Sequence, residues 1–363
     1  MIIDENVKNR LLTWNDDEPI YKQFEEKCAT LSQISGLVIT PDDYQVQYEA
    51  QKSSVNYYMD SQTELYGFLY KKYPNVEFAM AGRLKSPFSY YEKVIRKFIE
   101  QLSKDEFRIV EVLDVYAIKV FLLSINYPVD KVSVDTEGIY IDSGANEFRI
   151  DKDDCFEFIH KGKVITALVN EGATNVYVDN STPRICTTRN NEDFDFPLNT
   201  ANTYKKSSKE HLVKYCYKFQ EDIAAFYNDK NFNTRKMKDY IASPKDSGYS
   251  SLQWSFYSED ESLGIECQTR TYDMEKFNNK EREYGYKPNE HKLSRNALKK
   301  VPRFALTTRT NFSEEGYTTW KWDEAECFEY LFGTSLKEYR KKMLPTVEFK
   351  NEALKREKED ETR

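Results

Sequence analysis

One turn and the strand that follows it constrain this chain more than any other stretch. Lys238 to Gln253 reads KDYIASPKDSGYSSLQ, and a little further on Ile265 to Thr271 reads IECQTRT. Pro244-Lys245-Asp246-Ser247-Gly248-Tyr249 is turn chemistry, in which Gly248 can take a positive φ without steric strain and present Tyr249 at a loop tip. In IECQTRT, side chains alternate between the two faces of a strand. Glu266, Gln268 and Arg270 therefore share one face, and Ile265, Cys267 and Thr269 share the other. An ordinary solvent-facing strand would show the same polar row. Next to a ring on which a base can stack and a Lys245 ammonium that answers phosphate charge, the row reads as one wall of a nucleotide site. For Tyr249 the alternative is a core aromatic, in a chain with 27 tyrosines.

Two upstream blocks carry complementary chemistry. Val76 to Lys85 reads VEFAMAGRLK, which puts Val76, Phe78 and Met80 on one strand face and Ala79, Ala81, Arg83 and Lys85 on the other. Beyond the turn at Pro87, Ser89 is placed to cap a helix, with Glu92 completing a capping box and Lys93 one turn further on. A helix N-terminus beside two cations is a cradle for a triphosphate, because free backbone N–H groups and the helix dipole both favour anions. A capped helix packing through Val94, Ile95, Phe98 and Leu102 would need the same residues, and the two readings are compatible. Ile109 to Leu123, IVEVLDVYAIKVFLL, has strong β character and carries Asp114 in its middle. An ionised carboxylate among Val and Leu requires a partner, either a neighbouring Lys or Arg or a cation such as Mg²⁺, which takes one or two carboxylates together with phosphate oxygens.

Taken in order, these blocks resemble the synthetase domain of the RelA/SpoT family, which moves a pyrophosphate group from ATP to the 3′-hydroxyl of a guanine nucleotide. The family's ATP-binding pattern R-x-K-x-x-x-S-x-x-x-K is matched at Arg83, Lys85, Ser89 and Lys93. Its Mg²⁺-binding Asp opens a D-x-x-G-x-R segment, here Asp114, Ala117 and Lys119, so that Gly is replaced by Ala and Arg by Lys. The resemblance implies that Asp114 and Glu266 hold Mg²⁺, that Glu266 is also the candidate base, and that Arg83 steadies the transferred group. It further implies acceptor contacts from Lys238, Lys245, Tyr249, Gln253, Gln268 and His291. Gln253 stands where the family's G-Y-x-S-L-H has His, and Glu275 follows Met274 where small synthetases of the family have Asn. GDP or GTP is the acceptor expected, making guanosine tetraphosphate-type alarmones. The first alternative is the toxic branch of the family, which modifies the 3′ end of tRNA and pairs with an antitoxin; the second is a catalytically inactive nucleotide-binding or sensor protein.

The expected fold is α+β: a nucleotidyltransferase-like mixed sheet flanked by helices, covering about 76–125 and 207–296. Asp114 and Asp239 lie much further apart than in the family, and the surplus falls within about 124–206. There KVSVDTEGIYID, NEFRI, KGKVITALV and ATNVYVD alternate at strand spacing, before the polar stretch DFDFPLNTANTYKKSS. The division expected is a helical region over 1–75, a synthetase domain over 76–296 interrupted by this β-rich insertion, and an extension over 297–363. Helices are expected over Glu18 to Leu31, Tyr44 to Tyr70, Glu210 to Tyr227 and Leu336 to Met343.

Composition mainly excludes. No apolar run approaches the roughly 18 residues of a membrane span and no leader pattern opens the chain, so a cytoplasmic location is expected. The six cysteines form no C-x-x-C pair and the three histidines no ligand cluster. A net charge of −8 speaks against broad coating of nucleic acid.

Overall fold

The computed structural model describes residues 4–278, except 16–17, 103, 105–107, 109, 113, 152–153, 170–173, 190, 236, 260–262 and 276, together with the strand at 303–307. The expected helices at Leu336 to Met343, the site residue His291 and all of 297–363 but that strand lie outside the described residues.

Four helices come first: α1 (Glu5–Leu12), α2 (Ile20–Ser35), α3 (Pro41–Ser53) and α4 (Val55–Lys72). Glu18 to Leu31 is therefore largely helical as expected, and α2 stops at Gly36, whose φ of 72° suits a left-handed cap. The single helix expected over Tyr44 to Tyr70 is instead two helices broken at Ser54. There the Ser53 and Ser54 hydroxyls both donate to the Ala50 carbonyl, and the Ser54 N–H turns back to Gln51.

Next come β1 (Val76–Leu84), α5 (Pro87–Leu102) and the long β2 (Tyr116–Pro128). The region expected as an insertion supplies β3 (Lys131–Val134), β4 (Ile139–Ser143), β5 (Asn146–Arg149), β6 (Cys155–His160), β7 (Lys163–Leu168), β8 (Thr174–Asp179), β9 (Thr182–Arg189), β10 (Glu192–Pro197) and β11 (Thr203–Lys206). The chain continues with α6 (Lys209–Asp229), β12 (Phe232–Thr234), β13 (Lys238–Asp239), β14 (Leu252–Ser258), β15 (Gly264–Thr271) and β16 (Arg303–Thr307).

The main sheet runs β12-β14-β15-β2-β11-β6-β7, with β1 on β2 and β16 on β1. β15 lies parallel to β2 and the other pairs are antiparallel, so the sheet is mixed and the fold α+β. One face is apolar, as the alternation implied. Phe78 and Met80 of β1, Ile118 and Val120 of β2, and Ile265 and Cys267 of β15 pack with Phe24, Tyr48, Leu65, Val94, Phe98, Phe219 and Ile223 from the helices. Gly82 belongs to this face because no larger residue fits. A Cβ there would lie 2.0 Å from Gln62 Oε1 and 2.2 Å from the Tyr116 hydroxyl, two groups that hydrogen-bond to each other at 2.6 Å in the interior.

The strands from 131 to 206 have a core of their own, including Ile141, Phe156, Phe158, Ile165, Ile185, Leu198 and Tyr204. They are nevertheless stitched to the main sheet, since β11 pairs with the far end of β2 and β6 pairs with β11. At that seam Lys205, buried, donates to Glu77 at 2.9 Å and also pairs with Glu157. The polar stretch DFDFPLNTANTYKKSS supplies β10 and β11.

Gly82→Ala is expected to lower stability by about 1–3 kcal/mol, the usual range for forcing a methyl group into a filled core. Thermal unfolding followed by circular dichroism measures this, and an unchanged melting temperature would show that Gln62 and Tyr116 can step aside. Replacing 130–202 with a short Gly/Ser linker is expected to leave a protein that keeps its helical fold, because the helices pack on a different cluster from that of β3–β10. Loss of the far-ultraviolet signal in that variant would show that the two clusters fold as one.

Candidate active site

The polar face of the sheet is organised by register. Arg83 of β1 lies opposite Ala117 of β2, which lies opposite Glu266 of β15. The backbones of Arg83 and Glu266 thus flank a single methyl side chain, two strand spacings or about 10 Å apart along the hydrogen-bonding direction. The next row runs Ala81, Lys119, Gln268, Gln253 and Lys238 across β1, β2, β15, β14 and β13. Glu266, Gln268 and Arg270 share this face, while Ile265 and Cys267 are in the core and Thr269 donates to Gln220 of α6 at 2.6 Å.

At the end of the first row the chain turns into α5. The helix starts at Pro87, and Ser86 rather than Ser89 takes the capping role, its hydroxyl oxygen accepting the Ser89 N–H at 3.2 Å. Pro at the first helical position has its φ already set for the helix, which moves the cap one residue ahead of it. Ser89 lies in the first turn and its hydroxyl accepts from Ser86 at 3.0 Å. The Lys85 backbone is fixed by its N–H to Val115 at 2.7 Å and by the Tyr48 hydroxyl on its carbonyl at 2.9 Å.

Asp114 is not in the middle of a strand. β2 begins two residues later, and the Asp114 carboxylate meets both lysines of the cradle, Lys85 at 3.0 Å and Lys93 at closer range. Burial acts to raise its pKa, but the two ammonium groups outweigh that and hold the carboxyl well below the usual carboxylate range. The same contact works the other way on Lys85. Burial pushes its pKa down to about 8, with Lys93 adding to the fall and Asp114 opposing it. Lys97, one turn beyond Lys93, is also pushed down by burial and by Lys93, and donates to the Glu111 carbonyl at 2.6 Å.

At the other end of the face, Gly248 takes the positive φ expected, 76°. A Cβ there would lie 2.7 Å from the Phe277 ring. Tyr249 is not at an exposed tip: it is half-buried, and its hydroxyl is tied into the sheet. That oxygen accepts from Gln253 at 2.6 Å, Ser251 at 3.0 Å and Arg270 at 3.0 Å, and donates to Gln268 Oε1 at 3.2 Å. The Lys245 ammonium sits 5.1 Å from the Tyr249 ring centroid and 4.7 Å from that of Tyr240, and the two rings meet edge to face at 5.9 Å. A base stacking on Tyr249 would take the place of this lysine, a contact of about 0.5–1 kcal/mol at an exposed site. Lys238 is exposed at the rim.

Several contributors were not legible. Tyr240 carries no signal of its own within KDYI. Asn278 holds the loop by accepting from the Ser250 N–H at 3.1 Å and donating to the Ser250 carbonyl at 2.9 Å. Glu275, buried, bridges Lys119 and Arg270 at 2.9 Å each. No periodicity singles out a carboxylate or an amide one helical turn past a strand.

Residues 209–291 match the family model described as a region found in RelA / SpoT proteins. The match is confined to this segment of the chain. It spans α6, the Tyr249 loop and β15; Arg83, Lys85, Ser89, Lys93 and Asp114 lie outside it. No curated protein matches the chain.

Because burial holds the Lys85 pKa at about 8, loss of its charge above that pH is expected to weaken binding of a polyphosphate anion about tenfold from pH 7 to pH 9. Titration calorimetry of wild type beside Lys85→Arg, which stays charged throughout, tests this. A fall of equal size in the variant would assign it to another group.

Proposed function

We propose that the chain transfers pyrophosphate from ATP to the 3′-hydroxyl of GDP or GTP. The observation that carries the reading is the row in which Ala117 alone separates Arg83 from Glu266, with Asp114, Lys85 and Lys93 gathered at its end. A pyrophosphotransferase-type activity fits the family region within 209–291; the acceptor is the finer part of the proposal.

In this reading Arg83, Lys85 and Lys93 bind the triphosphate. They answer the charge that spreads over the oxygens of the transferred group as the bond between the β-phosphorus and the α,β-bridging oxygen breaks, that oxygen leaving with AMP. The acceptor 3′-oxygen forms a new bond to the β-phosphorus, AMP leaves, and Glu266 takes the hydroxyl proton. Tyr249, Gln253 and Gln268 hold the acceptor base side, and Lys238 and Lys245 face its phosphates. His291 is proposed to join them on the resemblance alone.

Asp114 and Glu266 offer the hard oxygen donors that Mg²⁺ prefers, and two carboxylates suffice when phosphate oxygens and water complete its shell. Bound there, the ion would neutralise phosphate charge. Asp114 is held ionised by its lysines, which suits it to that exchange.

The tRNA 3′ end is the second reading. The observation in its favour is that Arg235, Lys238 and Lys245 are all exposed beside the acceptor loop, where a polynucleotide backbone could run. Incubation with ATP labelled in its terminal phosphates, offering GDP, GTP and deacylated tRNA in parallel, decides between them. Label on tRNA that weakens steeply with salt would overturn the proposal, and label on none of the three would support the inactive sensor.

Asp114→Asn and Glu266→Gln are each expected to lower transfer by roughly 100-fold or more with the fold intact by circular dichroism. Turnover at the wild-type rate in either variant would sink the mechanism.

A further inference from the structure

We infer that Glu275 is a positioning residue for the acceptor platform, acting through Arg270 on the Tyr249 hydroxyl. This rests on the reading above that Tyr249 meets the acceptor. Glu275 follows the turn out of β15, and its carboxylate is held away from water at 1% exposure, so it cannot touch a substrate itself. One oxygen meets Lys119 Nζ of β2 at 2.9 Å, and the other meets Arg270 Nη1 of β15 at 2.9 Å. Arg270 is equally buried, and its second terminal nitrogen donates to the Tyr249 hydroxyl at 3.0 Å and to Gln268. The guanidinium carbon also lies 5.1 Å from the centre of the Tyr249 ring. A planar fork thus has one arm in an ion pair with a carboxylate and the other hydrogen-bonded to the phenol, and turning the first arm turns the second.

Charge balance explains why Glu275 sets the orientation. Lys119 and Arg270 are two buried cations, and Glu275 is the carboxylate that both contact. Without it the acceptors of the guanidinium among the described residues are neutral, the Gln268 carbonyl and the Tyr249 hydroxyl. Lys119 and Arg270 would then have lost a shared counter-charge and would separate or draw water in, and Arg270 would no longer be held square to the phenol. Ser251 and Gln253 still reach the hydroxyl, so the loop remains while the ring loses its fixed angle.

The test uses full-length protein labelled with ¹³Cζ-tyrosine, in which the Tyr249 resonance is assigned by its absence from Tyr249→Phe. Glu275→Gln is expected to move that resonance and Glu275→Asp to restore it in part, with neither change depending on catalysis. In the transfer assay Glu275→Gln should raise the acceptor KM between about 5- and 150-fold, the span of a lost base stack, while the ATP KM stays within about twofold. Combined with Tyr249→Phe the two effects should not add, because both act on one hydroxyl contact. Should Glu275→Gln fail to fold, Lys119→Met with Glu275→Gln removes one charge of each sign and carries the same comparison. An unmoved resonance, or acceptor and ATP KM rising together, would overturn the inference. Wild type that transfers to no acceptor would instead remove the functional reading, and the resonance alone would then decide whether Glu275 sets the Tyr249 geometry.

Discussion

The pairing of β2 with β1 on one side and β15 on the other is the constraint on which the rest of this structure depends. It joins a strand from near residue 80, one from near 120 and one from near 268 into a single register. It thereby sets the face that buries Phe78, Ile118 and Cys267 and the face that carries Arg83, Lys119 and Glu266. A slip by one residue would send Arg83 into the aromatic core and Phe78 to the phosphate side. The apolar face, packed by α1 to α6, therefore holds the polar face in register. Gly82 marks the tolerance, for its neighbours leave no space for a methyl group.

Much of this was legible because strand period is unambiguous where both faces carry strong signals. In Val76 to Leu84 and Ile265 to Thr271 large apolar residues alternate with small or polar ones, and the structure keeps the two faces as read, with Ala79 and Ala81 in a small apolar cluster on the second. Pro, Gly and Asp fixed the loop before Tyr249, whose glycine has the positive φ anticipated. Local competition was harder to read. The break at Ser54 comes from hydroxyls bonding a carbonyl one turn back, and the pattern of apolar residues runs through it unchanged. Asp114 had the β character of its neighbours, yet two lysines distant in sequence draw it out ahead of the strand. Likewise β6 and β9 went unnoticed. Ile159 stands on the outward side of β6 and breaks its alternation, and β9 carries Pro183 near its start.

The resemblance, resting on motifs, covers the two halves of the site differently. The family region takes in the loop, β14 and β15, whereas the residues of the phosphate cradle lie before it. What joins the halves is the parallel pairing of β15 with β2, which puts Glu266 within one strand of the segment that Asp114 opens. The strands between 131 and 206 attach at the other end of β2, remote from that junction, through β11 and the Lys205–Glu77 pair.

The twin contact of Asp114 with Lys85 and Lys93 also bears on which anions the cradle would admit. A pocket lined by two free ammonium groups would be a deep electrostatic well, open to any phosphate or sulfate that diffused past. Here the well is filled from within. An entering anion must outbid a carboxylate already seated between the cations. A small ion reaching one lysine leaves the other still bound to Asp114 and gains little. A chain of linked phosphates would span both lysines at once, so in the proposed reading the internal counter-charge favours polyphosphates over single ones.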